Sequence, residues 1–579
     1  MGRARHQRSI VVGVPAISET RFEVQIEREV PIPMRDGTVL RADVYRPAAE
    51  GRFPVLVERV GYELGARVGG YGPYYAQRGF VVVGQNVRGA FASEGELVPF
   101  RDDSAGSHQD GYDTVEWAAA QPWSNGNVGM VDGSYSGFTQ YAVAPTRPPH
   151  LRALSPREGG GDLYRDWVFR AGANQFSFTR SWTMQTSRSW LSHPKANARY
   201  PGAHERLEQA LSEGLDPWFA HLPLNECPPL QDLPLVNWYF DHLGHPDDGP
   251  FWDALRMGAR YDDVDVPMLH IGGWFDFFLG GTLRMFQGLQ AHARTEAARR
   301  AQRLVVGPWV HGPAATSESK AGDVDFGPEA IFDIREQRVR WYDYWLNGEA
   351  NGAMDGPPVR AFLMGANRWL ELDSWPPPGV TYRPAYLHHG TLSFEAPGSS
   401  EPPDEFEYDP RQPVPSLMVY PQLGPTDHRP VEGRVLTYTS DVLDADLAIA
   451  GPVTAVLYAS SSAPDTDWVV RLCDVWPDGR SMSVCDGILR ARYRDSLTSP
   501  SLLTPGEVYR FDVDLWSTAQ VFKAGHRVRV HVSSSDFPRY DRNLNTGGTF
   551  GTESHSNVAV NTIFHDAARP SHLVLPMLA

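Results

Sequence analysis

Short apolar runs, each closed by turn residues and followed by a helical stretch, recur through the first part of the chain and constrain its fold more than any other feature. Pro54-Val55-Leu56-Val57 and Gly79-Phe80-Val81-Val82-Val83-Gly84 are continuous apolar runs, the pattern of strands buried on both faces. Residues 112–120 have helical spacing, 127–131 give another strand and 138–143 another helix. The alternation resumes with a strand at 266–271, a helix over about 281–300, a strand at 303–306 and an amphipathic helix around 329–346. Such alternation predicts an α/β fold, a parallel sheet covered by helices.

Two segments break the pattern. Residues 146–240 show no clear strand and scatter Trp167, Trp182, Trp190, Trp218 and Trp238 among helical stretches such as 203–213, which predicts an inserted helical cap. Beyond Gly356, Pro376-Pro377-Pro378 and a Pro-rich, acidic stretch at 397–415 lead into short β-type runs at 453–458, 468–475, 487–493, 508–515 and 527–533. Turns separate these runs without helical interruption, the signature of an all-β sandwich. A chain of 579 residues needs more than one hydrophobic core. The expected organisation is therefore an α/β core over 1–145, a cap over 146–240, the rest of the core over 241–355 and a sandwich over 356–579.

Charge and composition exclude several classes. Seventy acidic against 53 basic side chains give a net charge of −17, which repels nucleic-acid backbones and anionic membrane surfaces. No apolar run reaches the length of a membrane span. The apolar stretch at 11–17 is too short for a secretory leader and is broken by Gly13 and Pro15. Three scattered cysteines, Cys227, Cys473 and Cys485, suit neither a disulfide framework nor a thiolate metal site. Cys473 and Cys485 are read as free thiols, though neighbouring strands would allow them to face each other. No H-E-x-x-H occurs, and His388-His389 reads as an exposed pair, so no metal and no cofactor is expected. A cytoplasmic protein acting on a small molecule is the simplest account, with a homodimer compatible with these features.

Asp132-Gly133-Ser134-Tyr135-Ser136-Gly137 stands where the strand at 127–131 gives way to a helix. A hydrolytic serine needs such a strand–turn–helix elbow, with small neighbours that let strand and helix approach. The helix start also aims backbone N–H groups at a developing oxyanion. The spelling departs from G-x-S-x-G, with Asp132 at the first Gly position and Ser136 at the second. Ser136 is a rival nucleophile, disfavoured by bulky Phe138 two residues on. Partners follow in the order this fold requires. Asp276 lies just past one strand in Gly272-Gly273-Trp274-Phe275-Asp276, and His311 just past the next in Gly307-Pro308-Trp309-Val310-His311-Gly312. Ser134 would attack, His311 would shuttle the proton and Asp276 would hold the imidazole. Asp263 and Asp265 lie at the wrong end of their strand, His270 inside it, and His108 out of chain order.

With these residues in place the chain resembles the cocaine-esterase-like (CocE/NonD) serine hydrolases, relatives of the X-Pro dipeptidyl-peptidases and α-amino-acid ester hydrolases. The resemblance rests on Arg88-Gly89, Phe91-Ala92-Ser93-Glu94-Gly95-Glu96, Asp110-Gly111-Tyr112-Asp113, Asn127-Val128-Gly129-Met130, Ser134-Tyr135-x-Gly137, Trp274-Phe275-Asp276 and Gly307-Pro308-Trp309-Val310-His311. It implies an α/β-hydrolase core, a helical cap and a C-terminal jelly-roll. It also implies an oxyanion hole made by the Tyr62 hydroxyl and the Tyr135 N–H. Tyr62 fits independently, since it follows the strand at 55–60 where the second donor is expected. Asp132 stands where such proteins carry a small residue.

Phe277 and Phe278 directly follow the acid, and with Trp167 and Trp182 of the cap they suggest a pocket for an apolar or aromatic acyl group. Relatives that bind a substrate ammonium need carboxylates there; Glu63, Glu158, Asp162 and Asp166 are the candidates, with surface charge as the plainer reading of each. An acyl-ester hydrolase is thus favoured over an X-Pro dipeptidyl-peptidase or an amino-ester hydrolase. A carbohydrate- or ligand-binding protein with an inactive hydrolase core is the alternative of another class.

Overall fold

The computed structural model describes residues 18–103, 108–256, 258–312, 314–421 and 423–578; the apolar stretch at 11–17 lies outside them. The core strands are β1 (Val24–Pro33), β2 (Val39–Pro47), β3 (Phe53–Val60), β4 (Val81–Asn86), β5 (Ser124–Met130), β6 (Leu151–Leu154), β7 (Leu269–Gly273), β8 (Arg303–Gly307), β9 (Val359–Leu363) and β10 (Arg368–Leu372). Their order is β1-β2-β4-β3-β5-β6 and then β7-β8-β9-β10, the two sheets being joined by parallel bridges from Leu154 to Met268 and from Arg157 to Ile271. All strands from β4 through β9 in this spatial order run parallel, while β1, β2 and β10 are antiparallel to their neighbours.

Alternation along the strands builds two apolar layers. Val55, Val57, Val81, Val83, Val128 and Met130 face one side and pack with Val115, Tyr141 and Leu289. Leu56, Val60, Val82 and Val131 face the other and pack with Val339 and Tyr342. Each such side chain contributes roughly 1.5–3 kcal/mol by leaving water. The helices of the core are α1 (Leu64–Arg67), α2 (Asp110–Ala119), α3 (Tyr135–Val143), α5 (Leu279–His292), α6 (Glu296–Arg300) and α7 (Ile334–Asn347), while α4 (Phe176–Leu191) lies in the inserted segment and packs on its other helices. This is the α/β-hydrolase arrangement.

The structure corrects three expectations. β6 falls where no strand was expected, because it is only four residues long and carries the exposed Arg152. β9 and β10 lie past residue 356 yet extend the core sheet through β8; the composition shift there marks prolines, not the end of pairing. The single helix expected over 281–300 is two, because the backbone leaves the first at Ala293 (ψ 147°) and Thr295 then caps α6 by accepting the Ala298 N–H at 3.0 Å.

Among the described residues no α-helix follows Asn347. The C-terminal strands instead form one large sheet packed around Leu457, Trp468, Phe511, Val513, Val530 and Leu573, with Leu447–Ser461 and Tyr509–Phe522 paired along their length. Met364 N donates to Ala519 O at 3.0 Å and Arg170 pairs with Asp486 at 3.3 Å, tying this β-rich part to the core and to the inserted helical segment. Cys227, Cys473 and Cys485 are free. The register sets Cys485 opposite Leu472 and Cys473 opposite Ser483, so the two thiols do not face each other.

Candidate active site

Four loops leave the C-terminal ends of four adjacent parallel strands, where open α/β sheets place their ligands. The loop after β5 carries Ser134, that after β6 Glu158, that after β7 Asp276 and that after β8 His311.

Ser134 sits at φ 58°, ψ −123°, a region costly for any residue with a side chain, and Asp132 also has positive φ at 83°. The Ser134 N–H donates to Arg157 O at 2.9 Å, which fixes the turn against the next loop. A Cβ on Gly133 or Gly137 would stand 2.7 or 2.8 Å from that same Arg157 carbonyl, so both positions must be glycine. Ser136 is fully buried and donates to the buried Glu58 at 2.6 Å, which removes it as a nucleophile.

Ser134 Oγ lies 2.9 Å from His311 Nε2, and His311 Nδ1 lies 2.9 Å from Asp276 Oδ1. Asp276 Oδ1 also accepts the Phe278 N–H at 3.1 Å, which orients the carboxylate. The Tyr62 hydroxyl accepts the Trp182 Nε1–H at 2.8 Å and faces Ser134. Burial raises the Tyr62 pKa against the pull of Arg67, Trp182 and Ser134, so its hydroxyl stays protonated and able to donate. Tyr135 opens α3, so its N–H has no acceptor within the helix.

Beneath the elbow runs a chain of alternating charge. Glu58 of β3 holds Arg67, and Arg67 reaches Asp132 at 2.9 Å. Arg157 and Arg338 approach the other Asp132 oxygen at 3.5 and 3.4 Å. Burial pushes the Asp132 carboxyl up, but these three guanidiniums hold it well below the usual carboxylate range. Arg157 also pairs with Glu158 at 2.6 Å, and Glu158 lies 3.7 Å from His311 Nδ1. Tyr62, Arg67, Tyr71, Asp132, Arg157 and Arg338 line a cavity of about 530 Å³ behind the Tyr62 ring.

The structure brings the four anticipated pocket aromatics together around this constellation. The Phe277 and Phe278 rings lie 4.5 and 5.2 Å from the His311 ring. Trp167 stacks on Phe278 at 5.2 Å and Trp182 on Tyr135 at 6.3 Å. Sequence reasoning missed Phe178 and Tyr420, which close on Phe277 at 4.7 and 5.7 Å. Nothing local marks Tyr420, which arrives from the region after the Pro-rich connection.

Three of the four candidate carboxylates are not surface charges. Glu158, Asp162 and Asp166 are buried. Asp162 pairs with Arg256 at 3.3 Å, and Asp166 is held by Arg284 and by the Gly161 and Asp162 N–H groups at 3.0 Å. Glu63 is exposed and caps α1. His270 is buried between Tyr141 and Gln302 at 2.7 and 3.1 Å. His108 pairs with Asp102 at 2.6 Å, His388 with Glu401 at 2.9 Å, and Asp263 with Arg260 at 3.3 Å. His389 is exposed and pairs with Asp404 at 2.5 Å. Among the described residues no group of three or more His, Cys, Asp or Glu is placed to hold a metal, and no helix is long and apolar enough to cross a membrane.

The chain is similar to known proteins over nearly its full length. Residues 36–313 match the X-Pro dipeptidyl-peptidase (S15) family and residues 351–574 the X-Pro dipeptidyl-peptidase C-terminal non-catalytic domain. A cocaine esterase from Rhodococcus sp. (strain MB1 Bresler) is 37% identical over 96% of this chain and 98% of its own. An α-amino acid ester hydrolase of known structure superposes with a TM-score of 0.80 at 26% identity, over 99% of this chain and 100% of its own. An aminopeptidase from a marine sediment archaeon, Thaumarchaeota archaeon, superposes with a TM-score of 0.80 at 25% identity, over 99% of each chain.

Proposed function

The chain belongs to the S15 serine hydrolases, in their cocaine-esterase-like (CocE/NonD) group, and from that premise we propose that it is a carboxylesterase acting through an acyl-enzyme on Ser134, with a preference for aromatic or bulky apolar acyl groups. His311 takes the Ser134 proton on Nε2 as Oγ attacks the ester carbonyl. Asp276 accepts from Nδ1 and stabilises the imidazolium. The Tyr62 hydroxyl and Tyr135 N–H receive the negative charge that develops on the carbonyl oxygen. His311 then returns the proton to the departing alkoxide as the C–O bond breaks. Water attacks the acyl-enzyme by the same route, leaving the free acid and Ser134.

One observation carries the substrate class: the Phe277 ring lies against His311 with Phe178 and Tyr420 packed on it, while Asp162 and Asp166 are already paired with arginines. A substrate ammonium would find no free anion there, whereas an aromatic acyl group would bury its surface against rings. The 530 Å³ cavity next to Tyr62 has mixed walls, with Tyr71, Tyr75 and Ile334 beside Arg67, Arg157 and Asp132. A cytoplasmic location accords with the three free cysteines.

The test is a panel of chromogenic substrates: acetyl and benzoyl esters, an α-amino ester and an Ala-Pro anilide. Fast cleavage of the benzoyl ester with the anilide untouched is expected. Preference for the anilide or the amino ester would overturn the reading.

A further inference from the structure

Glu158 follows β6, the strand between the one that ends at the nucleophile and the one that ends at Asp276. It is 1% exposed and adopts φ 48°, a strained conformation for a residue with a side chain. Its N–H donates to Ile271 O at 2.8 Å, which docks it against β7. Its Oε2 accepts the Gly312 N–H at 3.0 Å and the Arg157 Nη1–H at 2.6 Å, while Arg157 Nη1 also donates to Gly312 O at 2.7 Å. The residue directly after His311 is thus gripped on both its backbone N–H and its C=O. The same Oε2 lies 3.7 Å from His311 Nδ1, the atom that Asp276 Oδ1 contacts at 2.9 Å.

We propose that Glu158 is a second positioning carboxylate for His311, working beside Asp276 from the neighbouring strand and able to replace it in part. Two carboxylates reach one imidazole nitrogen from adjacent strand ends; burial raises the pKa of the Glu158 carboxyl, and Arg157, His311 and the Gly312 N–H pull it back toward the anion. When the imidazole takes the Ser134 proton, its positive charge forms between Asp276 and Glu158. Removal of Asp276 leaves Glu158 as the anion nearest Nδ1, where a small ring rotation makes the hydrogen bond. No carboxylate is placed there by the spacing of the triad itself, so this is a property of the Arg157-Glu158 pair in this chain. The proposal rests on the assignment of Ser134, His311 and Asp276 made above.

The test is a double-mutant cycle read as kcat per folded enzyme on a benzoyl ester: Asp276→Asn, Glu158→Gln and both together, with Ser134→Ala and His311→Ala alongside. Loss of the orienting carboxylate in a lone triad costs about 10⁴-fold. Asp276→Asn is expected to cost only about 10²-fold here, with the double variant falling the remaining way to about 10⁴. KM should stay within about threefold throughout, since neither carboxylate is assigned to substrate binding. Unfolding midpoints report whether each variant is folded. Where Glu158→Gln unfolds the chain by breaking the Arg157–Glu158 pair, Glu158→Met with Arg157→Met removes that pair as a unit. An equal fold-loss for Glu158→Gln with and without Asp276 would make its role structural and overturn the proposal. So would an Asp276→Asn variant already at the level of Ser134→Ala. Activity retained in Ser134→Ala or His311→Ala would instead overturn the site assignment, and this proposal with it.

Discussion

The guanidinium of Arg67 stands 2.9 Å from the carboxylate of Asp132, two residues before the serine in the elbow. Arg67 also donates to Gly133 O at 2.9 Å and lies over the Tyr62 ring at 5.2 Å. One cation thereby links the turn that carries Ser134 to Tyr62, the proposed oxyanion donor. Asp132 occupies a site where a small residue was expected because Arg67, Arg157 and Arg338 converge there and need an anion among them.

Replacing Asp132 by Asn should therefore destabilise the protein by about 3 kcal/mol, since Arg338 loses its carboxylate partner while Arg67 keeps Glu58 and Arg157 keeps Glu158. Thermal or denaturant unfolding measures it. The Asp132 carboxyl is held below its usual range, so its contribution is complete above about pH 4 and is lost only as pH falls below that. An unfolding midpoint unchanged in Asp132→Asn would contradict the clamp.

Tyr62→Phe removes a donor without removing the ring. A loss of about 10²–10³ in kcat is expected if the hydroxyl serves the transition state. The loss should fall on kcat, with KM little changed, in steady-state assays of one ester. An unaltered kcat would leave Tyr62 a packing residue that accepts from Trp182.

Phe277 lies against both His311 and Tyr420. Truncation to Ala should raise KM for a benzoyl ester about tenfold or more while changing KM for an acetyl ester much less, because only the larger acyl group loses a buried contact. Equal effects on both esters would place the acyl group elsewhere.

His242 is buried among Trp238, Phe251 and Trp252, and its Nε2 has no partner among the described residues. Burial, helped by His245, lowers its pKa to about 3, and burial alone lowers that of His270 to about 4. Both are neutral when folded and protonate near pH 6.5 when unfolded. The folded state thus binds fewer protons between these values. The stability linked to each is present above about pH 6.5 and is lost as pH falls toward the folded value, on the order of 4 kcal/mol for His242 by pH 3. His242→Phe should flatten the fall in unfolding midpoint between pH 6.5 and 4. A slope identical to that of the parent would contradict this.

The parts legible in the sequence are those encoded locally. The runs around Val57, Val83 and Met130 announce buried strands, and Ser134, Asp276 and His311 each follow such a strand in the order the fold demands. Long-range pairing was not legible. β6 is too short to show a period, and β9 is defined by its bonds to β8 rather than by its own composition. Glu158 reads as surface charge because its burial depends on Arg157, Gly312 and His311, which only the sheet brings together. Tyr420 reaches Phe277 from about 140 residues away by the same route.

The most direct test is acylation of Ser134 itself. Intact and peptide mass spectrometry of the protein quenched during turnover of a slowly released aromatic ester should show one acyl group per chain, on the peptide carrying Ser134, and none in Ser134→Ala. Acylation at another residue, or full esterase activity in Ser134→Ala, would contradict the assignment from which the mechanism follows.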